Sequence, residues 1–303
     1  MEADANKMTT LTIKGSARPA SGAIGRNGEA RQTSLAGSVE LAGTGLHSGG
    51  PTSVIIHPAP ADTGIVFWND GVRIPGVIAN VVDTSRGTTI GSNGTRIRTV
   101  EHVLAALRGN GVDNAFVEVR GSELPALDGS ALPYCEAMQA AGVVELDARR
   151  EPITIPGPIC VQQNGSFILA VPASQFRITF VMNYNHPLIG SQAATYVLGE
   201  SDFAREIAPA RTFVLYEEVA ELLDNDLARG GNLDNVIVLW QDRMSSALRF
   251  SDELVKHKVM DFIGDVSLVG GLLHAEIVAV KSGHWLNVEF AREVVRVAGR
   301  ETA

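Results

Sequence analysis

An α+β fold of two similar α/β halves is predicted for this 303-residue chain from three observations. Short β-branched runs bounded by Gly, Pro, Asn and Asp alternate with apolar residues at helical spacing. The order strands, helix, strand, helix occurs twice, and Pro152 opens the second round. The length allows one large domain or two ordinary ones. Residues 1–34 are expected to be a disordered or partly ordered extension, 35–150 a first α+β domain and 151–303 a second.

The extension is rich in Gly, Ala, Ser, Thr, Asn and Arg and poor in large apolar residues. It lacks the continuous apolar core of a secretory signal. Apolar residues make up 45% of the chain, as in packed globular proteins. A net charge of -9 argues against a nucleic-acid binder held by phosphate contacts. No run of about 18 apolar residues marks a membrane span. Cys135 and Cys160 lack metal spacing and read as buried thiols in a reducing compartment.

In the first half, Ser38 to Leu41, Thr52 to Ile56, Gly64 to Trp68 and Val77 to Val82 are predicted strands. Thr88 to Arg98 reads as a hairpin around Ser92-Asn93-Gly94. Val100, Val103, Leu104 and Leu107 form the stripe of a short helix, with Thr99 as a candidate cap. Ala115 to Val119 alternates as a strand, and a turn at Pro125 to Gly129 leads to a helix from Ser130 to Ala141. In the second half, Ile153 to Gln162, Phe167 to Val171 and Arg177 to Asn183 are strand-like. A short helix follows from Ser201, as cap, to Ile207. Thr212 to Leu215 and Val236 to Trp240 are strands around a helix from Glu217 to Asp224. Phe250 to Gly271 reads as one long helix capped by Ser251, then a strand over Ala275 to Val280 and a last helix from Trp285 to Val297.

Three places carry candidate chemistry. On the long helix, Val255, Val259, Phe262, Ile263 and Val266 form the apolar stripe, while His257, Asp261 and Asp265 recur at every fourth residue on another face. Alone, such a stripe is usually a solvated face. Glu101 and His102 stand side by side in the first turn of the earlier helix, and His284 sits in Lys281-Ser282-Gly283-His284-Trp285 where a strand gives way to a helix. Together these supply His102, His257 and Asp261 as metal ligands, with Glu101, Asp265 and His284 left for proton chemistry. Two imidazoles and one carboxylate with an open position suit a catalytic zinc and also ferrous iron. An adjacent free carboxylate favours hydrolysis, because a bound water needs a base.

Nine stretches stand out in order: TGLHSG from Thr44, HPAPADTGIVF from His57, TVEHVLAALRGNGVDNAFVEV from Thr99, ELPALDGSALPY from Glu123, YNHP from Tyr184, ARTF from Ala210, GGNLDNVIV from Gly230, HKVMDFIGD from His257 and KSGH from Lys281. Together they resemble the UDP-3-O-acyl-N-acetylglucosamine deacetylases, zinc hydrolases of lipid A biosynthesis in Gram-negative bacteria. The resemblance spans roughly residues 35 to 300. It implies helices sandwiched between two β-sheets, with the site at the domain junction. It also implies removal of the N-acetyl group from UDP-3-O-[(R)-3-hydroxyacyl]-N-acetylglucosamine, releasing acetate in the committed step of the pathway.

By the same resemblance Glu101 is the base, His284 the acid oriented by Asp265, and Thr212 a hydroxyl at the oxyanion. His47 is expected near the substrate's diphosphate, a satisfied loop histidine being the plainer alternative. Lys281 joins the substrate-binding set. Lys258 is expected elsewhere on its helix than His257, as a substrate-holding cation or a surface lysine. Phe213, Tyr216, Val219, Ala228 and Val238 are expected to line a passage for the acyl chain. Arg86 departs from the uncharged loop expected there. The expected cofactor is Zn2+, with Fe2+ able to fill the same site. The expected partner is a UDP-sugar carrying an acyl chain, without nucleic acid and without stable membrane insertion. A soluble cytoplasmic monomer follows, with transient contact at the inner membrane surface. A ferrous oxygenase, an amidohydrolase of simpler acetylated sugars and a non-catalytic binding protein are the competing readings; the last is disfavoured because every ligand and the base are present.

Overall fold

The structure, a computed structural model, describes residues 12–14 and 30–300. Six helices carry the fold: α1 (Glu101–Gly109), α2 (Leu132–Ala141), α3 (Phe203–Glu206), α4 (Tyr216–Asp224), α5 (Glu253–Ser267) and α6 (His284–Val297). Two six-stranded sheets flank them. In the first, the path runs Thr12–Lys14, Ser38–Thr44, Pro51–Pro58, Ala115–Arg120, Ile65–Asn69, Val72–Pro75. In the second it runs Ile159–Gln163, Ser166–Pro172, Leu273–Val280, Phe176–Asn183, Ser191–Val197, with Ile153–Thr154 joined to Leu273–Val280.

The two halves share one plan. In each, a late strand (Ala115–Arg120, Leu273–Val280) inserts between two earlier ones, antiparallel to the first and parallel to the second. In each, one helix precedes that strand and another follows it: α1 and α2, then α5 and α6. These four helices are filled with buried apolar side chains and lie between the sheets. The sandwich is therefore as expected, and the repeat lies in topology rather than in residue identity. Each half also carries an insertion before its first central helix. A three-stranded sheet (Val81–Asp83, Thr89–Ser92, Thr95–Ile97) precedes α1, and a parallel pair (Phe213–Leu215, Ile237–Leu239) enclosing α4 precedes α5.

Several boundaries differ from expectation for visible reasons. Ile153 to Gln162 breaks in two at Pro156-Gly157-Pro158, which cannot sustain a ladder. Val77 to Val82 divides into a 3-10 turn, Ile78–Asn80, and the start of a strand, Val81–Asp83. Cys160, expected to be buried like Cys135, is exposed on the edge strand Ile159–Gln163. The long helix starts at Glu253 after an Asp252 cap position and ends at Ser267, so Ser251 does not cap it. Thr99 does not cap α1 either: it sits at φ 60, and its hydroxyl donates to Glu123 instead. Asp202, not Ser201, caps α3 by accepting from the Arg205 N–H. Arg31–Leu35 is a strand paired with Val143–Arg149, so the edge of the expected extension falls inside the first half. The Asn93-Gly94 hairpin is present, both residues having positive φ as a primed turn requires.

The contact that joins the halves is α1 on α5. A Cβ at Gly264 would overlap the backbone carbonyl of Glu101, so only glycine allows this approach. Gly264→Ala is expected to lower stability by about 1–3 kcal/mol through overpacking, read from the urea midpoint. It should also displace the first turn of α1; wild-type stability and activity together would show that the two helices can part without consequence.

Candidate metal centre and active site

Residues of α1 and α5 meet in one buried cluster. His102 is the second residue of α1, and His257 and Asp261 lie one turn apart on α5. One ligand atom from each falls within 4.8 Å of the others. Asp261 Oδ1 stands 3.7 Å from His102 Nε2 and 3.4 Å from His257 Nε2. The rings are edge to face at 5.3 Å. His257 Nδ1 faces the Ala210 carbonyl at 3.1 Å. That partner takes an N–H, so the proton sits on Nδ1 and the Nε2 lone pair turns to the centre. Burial pushes the His257 imidazole down to about 3, which keeps it neutral. Burial alone would raise Asp261, but His257 and Lys258 beside it hold its carboxyl well below the ordinary range. A neutral imidazole and an ionised carboxylate are the forms that bind a divalent cation, so these residues fit one.

Lys258 corrects an expectation. Instead of lying elsewhere on the helix, its ammonium donates to Asp261 Oδ2 at 2.9 Å, the i,i+3 geometry of one helix face. Burial opposes its charge, yet Asp261 raises its pKa above the usual value. The bond also occupies one carboxylate oxygen and leaves Oδ1 to the imidazoles.

Two further acids border the cluster. Glu101, buried at the start of α1, accepts the Thr88 N–H on Oε2 at 2.9 Å. Burial raises its carboxyl while His284 and His102 pull it back. Asp265, one turn beyond Asp261, is fully buried. Its Oδ2 faces His284 Nδ1 at 2.9 Å and accepts from Asn287 Nδ2 at 2.8 Å; its Oδ1 accepts from the Thr88 hydroxyl at 2.6 Å. Burial would pull the His284 imidazolium down, but the Asp265 carboxylate overrides it and raises His284 to about 9.

Thr88 and Asn287 were not anticipated. Asn287 lies three residues after His284 on α6, a spacing that could have exposed it. Thr88 reaches the site from an irregular loop that no periodicity marks.

A cleft of about 510 Å³ opens over the cluster, lined among others by Glu101, His102, Thr212, His257, Lys258, Asp261, Lys281 and His284. An apolar cavity of about 250 Å³ adjoins it and contains Phe213, Val219, Ala228 and Val238 of the expected passage. Leu46, Arg86, Thr212, Phe213 and Val214 border both and form the neck between them. Tyr216 is outside: it is about half exposed and stacks on Trp240 at 5.1 Å. His47 lines the apolar cavity rather than the cleft. Its Nε2 faces the Arg86 carbonyl at 3.2 Å and its Nδ1 takes the Ala228 N–H at 3.3 Å, so both nitrogens already serve the fold. Arg86, at φ 61, reaches across the neck to Glu218 on α4 at 2.9 Å.

Residues 32–296 match the sequence model of the UDP-3-O-acyl N-acetylglycosamine deacetylase family. The chain belongs to that family. Relatives named UDP-3-O-acyl-N-acetylglucosamine deacetylase align over almost their full length. The one from Myxococcus xanthus is 43% identical over 272 residues, 87% of this chain and 86% of its own. That from Anaeromyxobacter dehalogenans is 42% identical over 287 residues, 90% and 92% respectively. That from Leptospira biflexa is 38% identical over 271 residues, 87% and 90%. The matched residues include α1, α5 and α6 to Arg296, the elements that carry the cluster.

Removal of either an α1 or an α5 donor should release the metal. His102→Ala and Asp261→Ala are each expected to purify with well under one equivalent by elemental analysis. Full occupancy in either would exclude that residue as a ligand.

Proposed function

We propose that the chain hydrolyses the N-acetyl group of UDP-3-O-[(R)-3-hydroxyacyl]-N-acetylglucosamine, releasing acetate and a free amine, with a divalent metal held by His102, His257 and Asp261. This places it in lipid A biosynthesis. The observation that carries the reading is the cleft itself, where three converging donors, a buried carboxylate and an acid–imidazole pair share one wall, and an apolar cavity opens beside them. The donor set fits zinc; we assign zinc first and ferrous iron second.

An unstrained amide resists water, so it needs an activated nucleophile, stabilisation of the oxyanion and protonation of the leaving nitrogen. A bound divalent ion supplies Lewis acidity for the first two. The residues supply the rest. Glu101 takes the proton of the attacking water through Oε1, because Oε2 is held by Thr88. Gly87 leaves that atom room: a Cβ there would stand 3.0 Å from Glu101 Oε1. Thr212 sits at the neck with its backbone held by Gly129 and Ile237, and its hydroxyl is assigned to the acetyl oxygen. His284 gives its Nε2 proton to the nitrogen, and Asp265 fixes its ring through Nδ1. The acyl chain would fill the apolar cavity through Phe213, Val219, Ala228 and Val238. Lys281, exposed at the rim, is assigned to the anionic part of the substrate. Among the described residues no helix is long and apolar enough to cross a membrane; we place the protein in the cytoplasm, as a monomer, with substrate taken from the membrane surface.

Acetate release is the direct test. Activity on the UDP-3-O-acyl substrate should vanish on metal stripping and return with one equivalent of zinc. Tight metal binding with no acetate released would send the site to other amides. Glu101→Gln should keep its metal and lose about 10²- to 10⁴-fold in kcat; near-normal turnover would remove Glu101 as base.

The pH profile has a definite sign. An acid works only while protonated, so kcat/KM should fall as pH rises through about 9. Asp265→Asn removes the carboxylate charge that raises His284, so the alkaline limb should move to lower pH. An unmoved limb would assign it to another group.

A further inference from the structure

Thr88 directs every polar group it has into the chemistry-bearing elements. Its carbonyl accepts the Val100 N–H at 3.1 Å, just before α1. Its own N–H donates to Glu101 Oε2 at 2.9 Å. Its hydroxyl donates to Asp265 Oδ1 at 2.6 Å. The side chain has no solvent exposure. One residue of the first half's insertion therefore touches the carboxylate that serves as base, on α1, and the carboxylate that orients the acid, on α5.

We infer that Thr88 is a positioning residue that sets the base and the acid of the reaction at a fixed distance from one another. The inference rests on the roles given above to Glu101 and His284. The geometry explains why threonine is suited. A β-branched side chain is stiff at χ1, so its hydroxyl cannot drift relative to its own N–H. Those two donors hold one oxygen of each carboxylate, Glu101 Oε2 and Asp265 Oδ1. On the far side, Asp265 Oδ2 is shared by His284 and Asn287. With both oxygens of Asp265 engaged, its carboxylate plane cannot turn, and the His284 ring in line with Oδ2 cannot either. On Glu101 the effect is complementary: fixing Oε2 presents Oε1 to the cleft. Proton removal from the water and proton delivery to the nitrogen serve the bond that forms and the bond that breaks at one reacting carbon. A shift of either group by a fraction of an ångström degrades both steps.

A threonine that merely satisfied buried neighbours would affect stability and not turnover. Thr88→Val keeps shape and removes only the hydroxyl; Thr88→Ser keeps the hydroxyl and removes only the methyl group. For Thr88→Val we expect kcat on the UDP-3-O-acyl substrate to fall about 10- to 100-fold, with KM and metal content near wild type. Thr88→Ser should recover kcat to within about threefold. In an Asp265→Ala background, Thr88→Val should bring little additional loss, because its hydroxyl acts through Asp265. Undiminished kcat in Thr88→Val, a Thr88→Ser as impaired as Thr88→Val, or independent losses in the double variant would each overturn the inference. If Thr88→Val does not fold, Thr88→Cys, with a weak donor of similar size, takes its place and should again fall well below Thr88→Ser. Should the wild-type protein release no acetate from this substrate, the functional reading fails first. The positioning role then stands or falls on the His284 Nδ1–H proton resonance, which should shift in Thr88→Val and not in Thr88→Ser.

Discussion

Glycine at position 264 lets α5 lie directly on the first turn of α1. The residues that turn presents, Glu101 and His102, then face His257, Asp261 and Asp265 across the junction. A side chain at 264 would collide with the Glu101 backbone and push the turn away. The candidate ligands come from opposite halves, so binding energy for a cation there would also hold the halves together. Helix packing and metal affinity are two readings of one distance.

Such a contact concentrates ionisable groups in an apolar junction, where an uncompensated charge is expensive. The protein offsets this locally. Asp261 has Lys258, Asp265 has three donors, Glu101 has a backbone N–H, and His257 has a carbonyl for its outer nitrogen. The result separates roles among similar groups. Asp261 is held ionised, Glu101 is made more basic by burial, and His284 is held protonated, which suits them to the proposed roles of ligand, base and acid. Environment, rather than residue type, distinguishes the carboxylate proposed as a ligand from the one proposed as a base.

The periodic part of this was legible in the sequence. Every-fourth-residue spacing on α5 placed His257, Asp261 and Asp265 on one face, and the two-round element order gave the halves. What escaped has physical causes. Lys258 was expected on another face because adjacent helical residues diverge; its long stem instead carries the ammonium back to Asp261. The Thr99 hydroxyl suits capping in isolation, while its tertiary bond to Glu123 takes it elsewhere, and α5 begins one residue too late for Ser251 to cap it. The strand Ser191–Val197 opens with Ser-Gln-Ala-Ala, which lacks the bulk that marks a strand, and only its end at Thr195, Tyr196 and Val197 carries it. Thr88 belongs to an insertion loop, where contacts are set by the whole fold and leave no local pattern.

The insertions give the site its two-part character. One supplies Arg86 and Thr88, the other Thr212, Phe213, α4 and the loop through Ala228, and between them lie a polar cleft and an apolar cavity joined at a neck. On the proposed reading, a substrate with a sugar nucleotide at one end and an acyl chain at the other would fill both with its amide at the junction. Burial of the chain would then align a bond that the chain does not touch, and binding energy gained far from the reaction would lower its barrier. Arg86 stands at that neck, paired to Glu218 on α4. On the proposed reading, an acyl chain entering the cavity would pass this charged pair with the carbons nearest the sugar, so the pair would bear on the first few carbons of the chain rather than on its far end.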